Sequence, residues 1–229
     1  SQPDSIWQTS EHPSEISIFR SSHFSCPTIK PSPQIDKHTE DGAILLEDCD
    51  GDGDKDILIA CGGNEFSLDP SKYLLKYYIN EGNGQFKKVE LINNISVSSH
   101  NMVTGDFNRD GIWEVFIGAR SIPGHYGRNP TSYLIQIQND SLHMIDSISP
   151  IGMVSAASVG DINKDGWPDL IIGGEWQPIR TCLNDRGKIK WDVKPLPVSN
   201  GWWRNIQLAD LDNDGDLDII AGNHGLNSQ

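Results

Sequence analysis

Four short acidic segments carry the residue types best suited to chemistry in this chain. Each reads D-x-[DN]-x-D-G-x-x-[DE], and they lie at residues 48–56, 106–114, 161–169 and 210–218. Side-chain oxygens at alternate positions, followed by a glycine where the chain can turn sharply, suit a hard cation. Ca²⁺ takes about six to eight such oxygen ligands in flexible geometry. The pattern therefore predicts a calcium loop in each segment.

The ligand roles follow from position within the loop. Positions 1, 3 and 5 supply side-chain oxygens, position 7 a backbone carbonyl, and position 9 a closing carboxylate. The set predicted for up to four structural ions is Asp48, Asp50, Asp52, Asp54, Asp56, Asp106, Asn108, Asp110, Ile112, Glu114, Asp161, Asn163, Asp165, Trp167, Asp169, Asp210, Asp212, Asp214, Asp216 and Asp218. The second loop departs from the others, because Glu114 is longer than Asp and Arg109 places a positive charge inside the loop.

Two alternatives compete with a calcium loop between strands. An EF-hand needs a Glu at position 12 and flanking helices, but position 12 is Ile or Ala here and the flanks are short runs rich in Val, Ile and Leu. Such runs favour strands. Solvated acidic turns are the second alternative. Carboxylates crowded without a cation would repel by about 1–4 kcal/mol per close pair near a surface, which favours bound ions.

The acidic loops sit inside a larger repeat of roughly 50 to 60 residues. A strand-like run lies on each side of every loop, and two more follow in the first three repeats. Turn residues at 81–84, 139–141 and 185–187 suit tight hairpins between these later runs. Each unit is then a four-stranded antiparallel meander, the size of a β-propeller blade. The expected fold is all-β, a propeller of about three and a half to four blades.

The predicted blades span residues 41–97, 98–149, 150–200 and, in part, 201–229. The fourth repeat stops after its second strand. Residues 1–40 carry no acidic loop but contain two strand-like stretches, 16–20 and 23–29. Two arrangements stay open. Either the N-terminal strands complete the fourth blade and close a small ring, or the chain is an arc of a larger ring.

Composition narrows the class of partner. The chain has 229 residues, with 18 Lys+Arg against 32 Asp+Glu and a net charge of −14, which argues against nucleic-acid binding. No run approaches the ~18–20 apolar residues of a membrane span, and no signal peptide is visible. Cys26, Cys49, Cys61 and Cys182 form no metal-binding spacing. Buried free thiols are expected, and a disulfide at Cys26 stays open.

Candidate ligand-binding residues lie on loops opposite the acidic ones. In a four-stranded blade the loops after the first and third strands share one face, and the remaining connections share the other. The second face is predicted to carry Arg120, His125, Tyr126, Arg128, Glu175, Trp176, Trp202, Trp203 and Arg204. Aromatic rings with Arg and Glu can stack on sugars or anchor a protein. Packing between blades is the alternative for each Trp.

The acidic loops and the β-runs after them resemble the FG-GAP/VCBS repeats of integrin-α-type β-propellers, over roughly residues 41–229. Stretches 118–124, 174–178, 201–203 and 222–227 are similar to secreted bacterial VCBS-repeat proteins related to the cartilage acidic protein group. In that group the propeller is longer, so this chain resembles an internal or truncated part. The resemblance implies export to the cell surface, periplasm or medium, and calcium in the first loop of each blade. It also implies a non-catalytic binding or adhesion module for carbohydrate or protein.

An enzyme is the alternative function. The sequence contains no G-x-S-x-G, H-E-x-x-H or P-loop motif. The chain also resembles the calcium-loaded propellers of some polysaccharide lyases, which implies action on acidic glycans. Such a site needs a base beside an Arg and a carboxylate, and His125, Arg128 and Glu175 are the candidates for these roles.

Overall fold

The computed structural model describes residues 16–17, 28–29, 39–64, 69–82, 85–191 and 195–224. Apart from a short 3₁₀ helix at Pro70–Tyr73, the regular elements in these residues are strands. They are β1 Ile16–Ser17, β2 Thr28–Ile29, β3 Asp41–Glu47, β4 Asp56–Cys61, β5 Lys76–Asn80, β6 Phe86–Val89, β7 Ser98–Gly105, β8 Glu114–Ser121, β9 Ser132–Gln138, β10 Ser141–Ile148, β11 Met153–Gly160, β12 Asp169–Glu175, β13 Arg180–Cys182, β14 Trp203–Ala209 and β15 Asp218–Asn223. The expected all-β class is confirmed.

The strands form antiparallel meanders in chain order. One sheet contains β3 to β6 and a second contains β7 to β10, each with four strands. The third sheet has β11 to β13 and the fourth has β14 and β15. The first strands contact each other in succession, β3 with β7, β7 with β11 and β11 with β14. Sheets stacked side by side through their first strands are the blades of a β-propeller.

Side-chain alternation along the central strands explains how the blades pack. On β8, Val115 and Ile117 join the core between the first and second blades, whereas Phe116 between them joins the core facing the third blade. On β12, Leu170 and Ile172 face the second blade and Ile171 faces the fourth. Both faces of these strands are therefore covered, which is why they read as continuous apolar runs rather than alternating ones.

Turn residues fix the register of the hairpins. Gln138 pairs with Ser141 across a two-residue loop, and Asn139 and Asp140 have φ of 51° and 58°. Positive φ at both central residues is what a type I′ turn requires, and Asn and Asp tolerate it better than most residues. The turn predicted at 139–141 is therefore the β9–β10 hairpin.

The ends of the repeat array are less regular. The strand expected at 190–196 falls partly on residues 192–194, which lie outside the described residues, and Pro195 forms one bridge with Arg180. β1 and β2 pair with each other, while the rest of the N-terminal stretch, with Cys26, lies outside the described residues. Cys49, Cys61 and Cys182 are free thiols. No helix among the described residues is long and apolar enough to cross a bilayer.

Candidate functional site

All four acidic loops connect the first and second strands of a blade and share one hydrogen-bond scheme. The carboxylate at position 1 accepts the backbone N–H of the glycine at position 6 in every loop. The pairs are Asp48 with Gly53 at 3.0 Å, Asp106 with Gly111 at 3.1 Å, Asp161 with Gly166 at 2.7 Å and Asp210 with Gly215 at 2.9 Å. The carboxylate therefore holds the turn closed from inside.

The carboxylate at position 9 closes the other end of each loop by accepting the N–H of position 2. These bonds are Cys49 to Asp56 at 3.1 Å, Phe107 to Glu114 at 2.7 Å, Ile162 to Asp169 at 3.0 Å and Leu211 to Asp218 at 3.0 Å. Asp56, Glu114 and Asp169 are buried. The longer side chain of Glu114 thus takes the same place as the aspartates.

Backbone conformation shows a position that the sequence pattern did not reveal. Position 6 glycines have φ between 86° and 94° in the four loops, as a sharp turn requires. Position 4 is also left-handed, at Gly51 (φ 82°), Arg109 (60°), Lys164 (58°) and Asn213 (61°). The sequence gives little sign that position 4 is left-handed, because Arg and Lys do not favour positive φ.

The acidic oxygens converge in three of the loops. Carboxylate oxygens lie within 4.8 Å of one another in the sets Asp48, Asp50, Asp56; Asp106, Asp110, Glu114; and Asp210, Asp212, Asp218. Among the described residues the third loop forms no such set. These donors are all hard oxygens, the ligand type that Ca²⁺ prefers, so the residues present fit such an ion.

The residue at position 3 is Asn in the second and third loops and Asp in the first and fourth. In the second loop the Asn108 side-chain amide donates to Asp110 at 3.0 Å and to Glu114 at 2.7 Å. In the third loop the Asn163 amide donates to Asp165 at 2.9 Å. The amide protons therefore offset part of the carboxylate charge there. The first and fourth loops have Asp at position 3, which places a negative charge where the other two loops have a neutral amide.

Burial changes the proton affinity of the enclosed carboxyls. Burial raises the pKa of Glu114 to about 7, with smaller contributions from the charges of Asp110 and Asp106. Burial also raises the pKa of Asp169. A buried carboxylate without a nearby cation is costly. Within the described residues, hydrogen bonds from backbone N–H groups offset the charge of these enclosed carboxylates.

Side chains at position 4 reach from one loop to the next. The Arg109 guanidinium lies 4.5 Å from the ring centre of Trp167, which is position 7 of the third loop. Lys164 forms an ion pair with Asp216, position 7 of the fourth loop. The expectation that Arg109 places its charge inside its own loop is therefore wrong, because a side chain on a left-handed residue projects outward here. Gly51, at position 4 of the first loop, has no side chain that could contact the second loop. It lines a cleft of about 300 Å³ together with Ile112.

The opposite face carries a continuous row of rings, which we call the aromatic row: Tyr126, Trp176, Trp202 and His224. Successive ring centres lie 5.8, 5.1 and 5.6 Å apart. Tyr126 is 46% exposed and Trp176 is 61% exposed. Trp176 has φ of 53°, an outlier for a bulky residue, and such strain clusters at functional sites.

A buried ion pair supports the row. The Glu175 side chain is fully buried and accepts the Arg120 Nε–H at 2.7 Å. Its other oxygen accepts the hydroxyl of Tyr126. His100 Nε2 lies 3.3 Å from Arg120 Nη1. Desolvation and the adjacent Arg120 charge lower the pKa of His100, while desolvation and the bond to Glu175 raise the pKa of Tyr126.

Polar groups border the row on two sides. The Arg204 guanidinium lies 5.3 Å from the Trp202 ring centre. A cleft of about 470 Å³ opens beside Trp176 and is lined by, among others, Asn129, Gln177 and Arg180. The buried indole Nε1 of Trp202 has no acceptor among the described residues. The face therefore offers both apolar rings and hydrogen-bonding groups to a ligand.

The structure sorts the residues expected on this face. It brings together Arg120, Tyr126, Glu175, Trp176, Trp202 and Arg204. His125 and Arg128 are exposed on the same loop, and in the described part of the chain no side-chain contact joins them to the row. His100 and His224 also join the site, although neither was among the residues expected to bind a ligand.

Trp203 is the exception among the expected residues. Its ring packs in the core between the third and fourth blades with Ile206, and its Nε1–H donates to Ser199 O at 2.9 Å. Trp202 lies just before β14 and its ring joins the aromatic row, whereas Trp203 is the first residue of β14 and its ring lies in the core. The assignment of Trp203 to the binding face was wrong.

A propeller whose blades each carry an acidic loop between the first and second strands belongs to a class of repeat protein. Similarity to known proteins shows which family it is. The FG-GAP-like repeat model matches residues 48–117 and 161–221, more than half of the chain. The chain belongs to the FG-GAP-like repeat family, as the resemblance indicated.

Two known proteins are similar to parts of the chain. Integrin alpha-5 of Xenopus laevis is 28% identical over 150 residues, which is 54% of this chain and 14% of that protein. The chain thus spans a small part of this relative. The crystal structure of the exotype rhamnogalacturonan lyase YesX has a TM-score of 0.50 at 18% identity, over 80% of this chain and 39% of that one. This second likeness concerns the fold alone.

Proposed function

We propose that the protein is a calcium-stabilised extracellular propeller that acts as a non-catalytic binding module for carbohydrate or protein. The observation that carries the proposal is that the two faces of the propeller carry different features. One face repeats a single hydrogen-bonded acidic loop. The other carries an exposed aromatic row over a buried ion pair. Family membership supports a module of this kind, and the extracellular setting rests on the integrin relative.

Calcium would be held by the oxygens at positions 1, 3, 5, 7 and 9 of the loops. Bound there, the ion neutralises carboxylates that repel one another. The chain's own residues already fix the loop, since positions 1 and 9 accept backbone N–H groups at both ends. The first and fourth loops, with Asp50 and Asp212 at position 3, are the best candidates for tight binding, because affinity depends on ligand charge.

Ligand binding is assigned to the aromatic row. Loops on a rigid scaffold are the usual location of recognition, and exposed aromatic rings supply most of the binding energy at such sites. A panel of immobilised polysaccharides and extracellular matrix proteins tests this assignment. We expect at least one member to retain the protein, and Trp176→Ala to abolish retention.

Trp113→Ala is the matched control for that experiment. Trp113 is 43% exposed but lies in the second acidic loop, on the other face. It should leave retention unchanged. A panel on which no member retains the wild-type protein overturns the binding proposal, and so does retention that both variants weaken equally.

A lyase acting on acidic glycans is the second candidate, and one observation favours it. His100 and Arg120 take the places beside Glu175 that had been assigned to His125 and Arg128. A neutral His100 could take the proton beside a sugar carboxylate while Arg120 stabilises that carboxylate. The bond to the leaving sugar oxygen then breaks, that oxygen takes a proton from solvent, and a carbon–carbon double bond forms. Growth of ultraviolet absorbance on incubation with polygalacturonate, lost in His100→Ala, would establish this activity.

A further inference from the structure

We infer that the aromatic row binds an acidic oligosaccharide, that is, a chain of sugar rings bearing carboxylates. The inference rests on the proposed binding function and specifies its ligand. Four features carry it: the continuous row of rings, the cleft with polar groups beside them, the distribution of charge and the support under the row.

The row is continuous and partly exposed. Its ring centres follow one another at 5.8, 5.1 and 5.6 Å, so a ligand that contacts all of them must reach across several rings. The two most exposed rings, Tyr126 and Trp176, present apolar surface that the described part of the chain leaves uncovered. A sugar chain offers alternating apolar C–H faces and polar edges, and it matches this surface along its length.

The neighbouring cleft favours sugar over protein. Protein hot spots sit in well-packed pockets that exclude water. The cleft of about 470 Å³ beside Trp176 has amide and guanidinium groups at Asn129, Gln177 and Arg180 in its lining, together with Glu175 and apolar side chains such as Ile151 and Met153. This volume lies in the range of small-ligand sites. Arg180 donates to Gln177 at 2.9 Å and to the carbonyl of Ile151 at 3.1 Å, so the lining is ordered before a ligand arrives.

The charge on this face differs from that of the whole chain. The net charge is −14, but the four acidic loops lie on the opposite face. Glu175, which is buried beneath the row, is already paired with Arg120. Arg204 is exposed beside Trp202 and makes no ion pair within the described part of the chain. A free guanidinium next to an aromatic ring recognises a carboxylate well, because it can donate two parallel hydrogen bonds.

The support under the row is preorganised. Tyr126 is fixed by its bond to Glu175, and Glu175 by Arg120. Trp176 is held in a left-handed conformation, which sets the direction of its side chain. Rigid placement reduces the entropy lost on binding. The face is therefore built to receive a ligand of defined shape rather than to adapt to many.

Calorimetric titration with short oligogalacturonates tests the inference, and the fully methyl-esterified oligomer of the same length is the uncharged control. We expect wild-type protein to bind the acid about tenfold or more tightly than the ester, equivalent to about 1.4 kcal/mol. Arg204→Gln should remove that preference without weakening the ester. Trp176→Ala and Trp202→Ala should each weaken both ligands, and Trp113→Ala neither. Melting curves in calcium confirm that every variant is folded.

Four results overturn the inference. Equal affinity for acid and ester excludes a charged ligand, and unchanged affinity in Trp176→Ala places the sugar elsewhere. Loss of both ligands in Arg204→Gln shows that Arg204 does not act on charge. Failure of both oligomers, while a panel protein is retained through Trp176, overturns the sugar ligand and leaves the binding function standing. A panel on which nothing is retained instead removes the proposed function itself.

Discussion

The two faces of the propeller use the same scaffold in opposite ways. On the acidic face the same residue types and the same hydrogen bonds recur in four loops. On the aromatic face each loop contributes a different side chain, such as Tyr126 from one and Trp176 from the next. A stabilising loop can repeat unchanged, because every blade has the same turn between its first and second strands. A ligand needs the reverse, since recognition depends on differences between neighbouring loops.

The faces also treat buried charge differently. In the described residues the repulsion between loop carboxylates is relieved mainly by hydrogen bonds, as at Glu114, and by the ion pair of Lys164 with Asp216. The aromatic face buries one carboxylate and pairs it with Arg120 inside the chain. Under the proposed function a bound cation stabilises the acidic face, whereas Glu175 on the aromatic face is already paired with Arg120.

Removal of calcium should have the largest effect, because it acts on all the loops together. We expect EDTA to lower the melting temperature by about 10 °C or more, since an ion at 100 times its dissociation constant adds about 2.7 kcal/mol per site. Added Ca²⁺ should restore the melting temperature and Mg²⁺ should not. Scanning calorimetry measures both. An unchanged melting temperature would mean that the loops are solvated turns.

Glu175→Gln should come next in size, and its effect should be independent of calcium. The substitution leaves Arg120 without its partner and weakens the bond from Tyr126. We expect a loss of about 2 kcal/mol in the free energy of unfolding, measured by urea denaturation. Arg120→Ala with Glu175→Gln forms a double-mutant cycle. Additive effects in that cycle would show that the two side chains are not coupled.

Asp50→Asn tests whether the first loop binds through its side chains. We expect about tenfold weaker calcium binding at this loop, or about 1.4 kcal/mol less stability in limiting calcium. Asp54→Asn is the matched control, since it removes the same charge from position 7, whose predicted ligand is the backbone carbonyl. Equal losses in the two variants would indicate a general charge effect rather than coordination.

Arg109→Ala should have the smallest effect. It removes the stacking of a guanidinium on Trp167, which is worth about 0.5–1 kcal/mol at an exposed site. Because the charge lies outside its own loop, calcium affinity of the second loop should stay the same. A marked rise in that affinity would instead indicate that the Arg109 charge acts on the ion site of its own loop.

Local patterns in the sequence were enough to predict the blades and their acidic loops. The Asn139–Asp140 turn and the apolar run that contains Phe116 depend on residues close in sequence, and they were predicted correctly as a hairpin turn and a strand. The role of position 4 was missed. Arg and Lys at Arg109 and Lys164 adopt left-handed φ because the loop's hydrogen bonds impose it, and residue type gives little sign of this.

The sequence by itself determined the repeat, the order of the strands and the oxygen donors of each loop, because these depend on spacing within about ten residues. The tertiary structure alone decided which rings meet. Trp202 joins Trp176 from another blade while Trp203 turns into the core, and Arg120 finds Glu175 fifty-five residues away. Such contacts depend on how neighbouring blades stack, and no short sequence pattern encodes the position of one blade against the next.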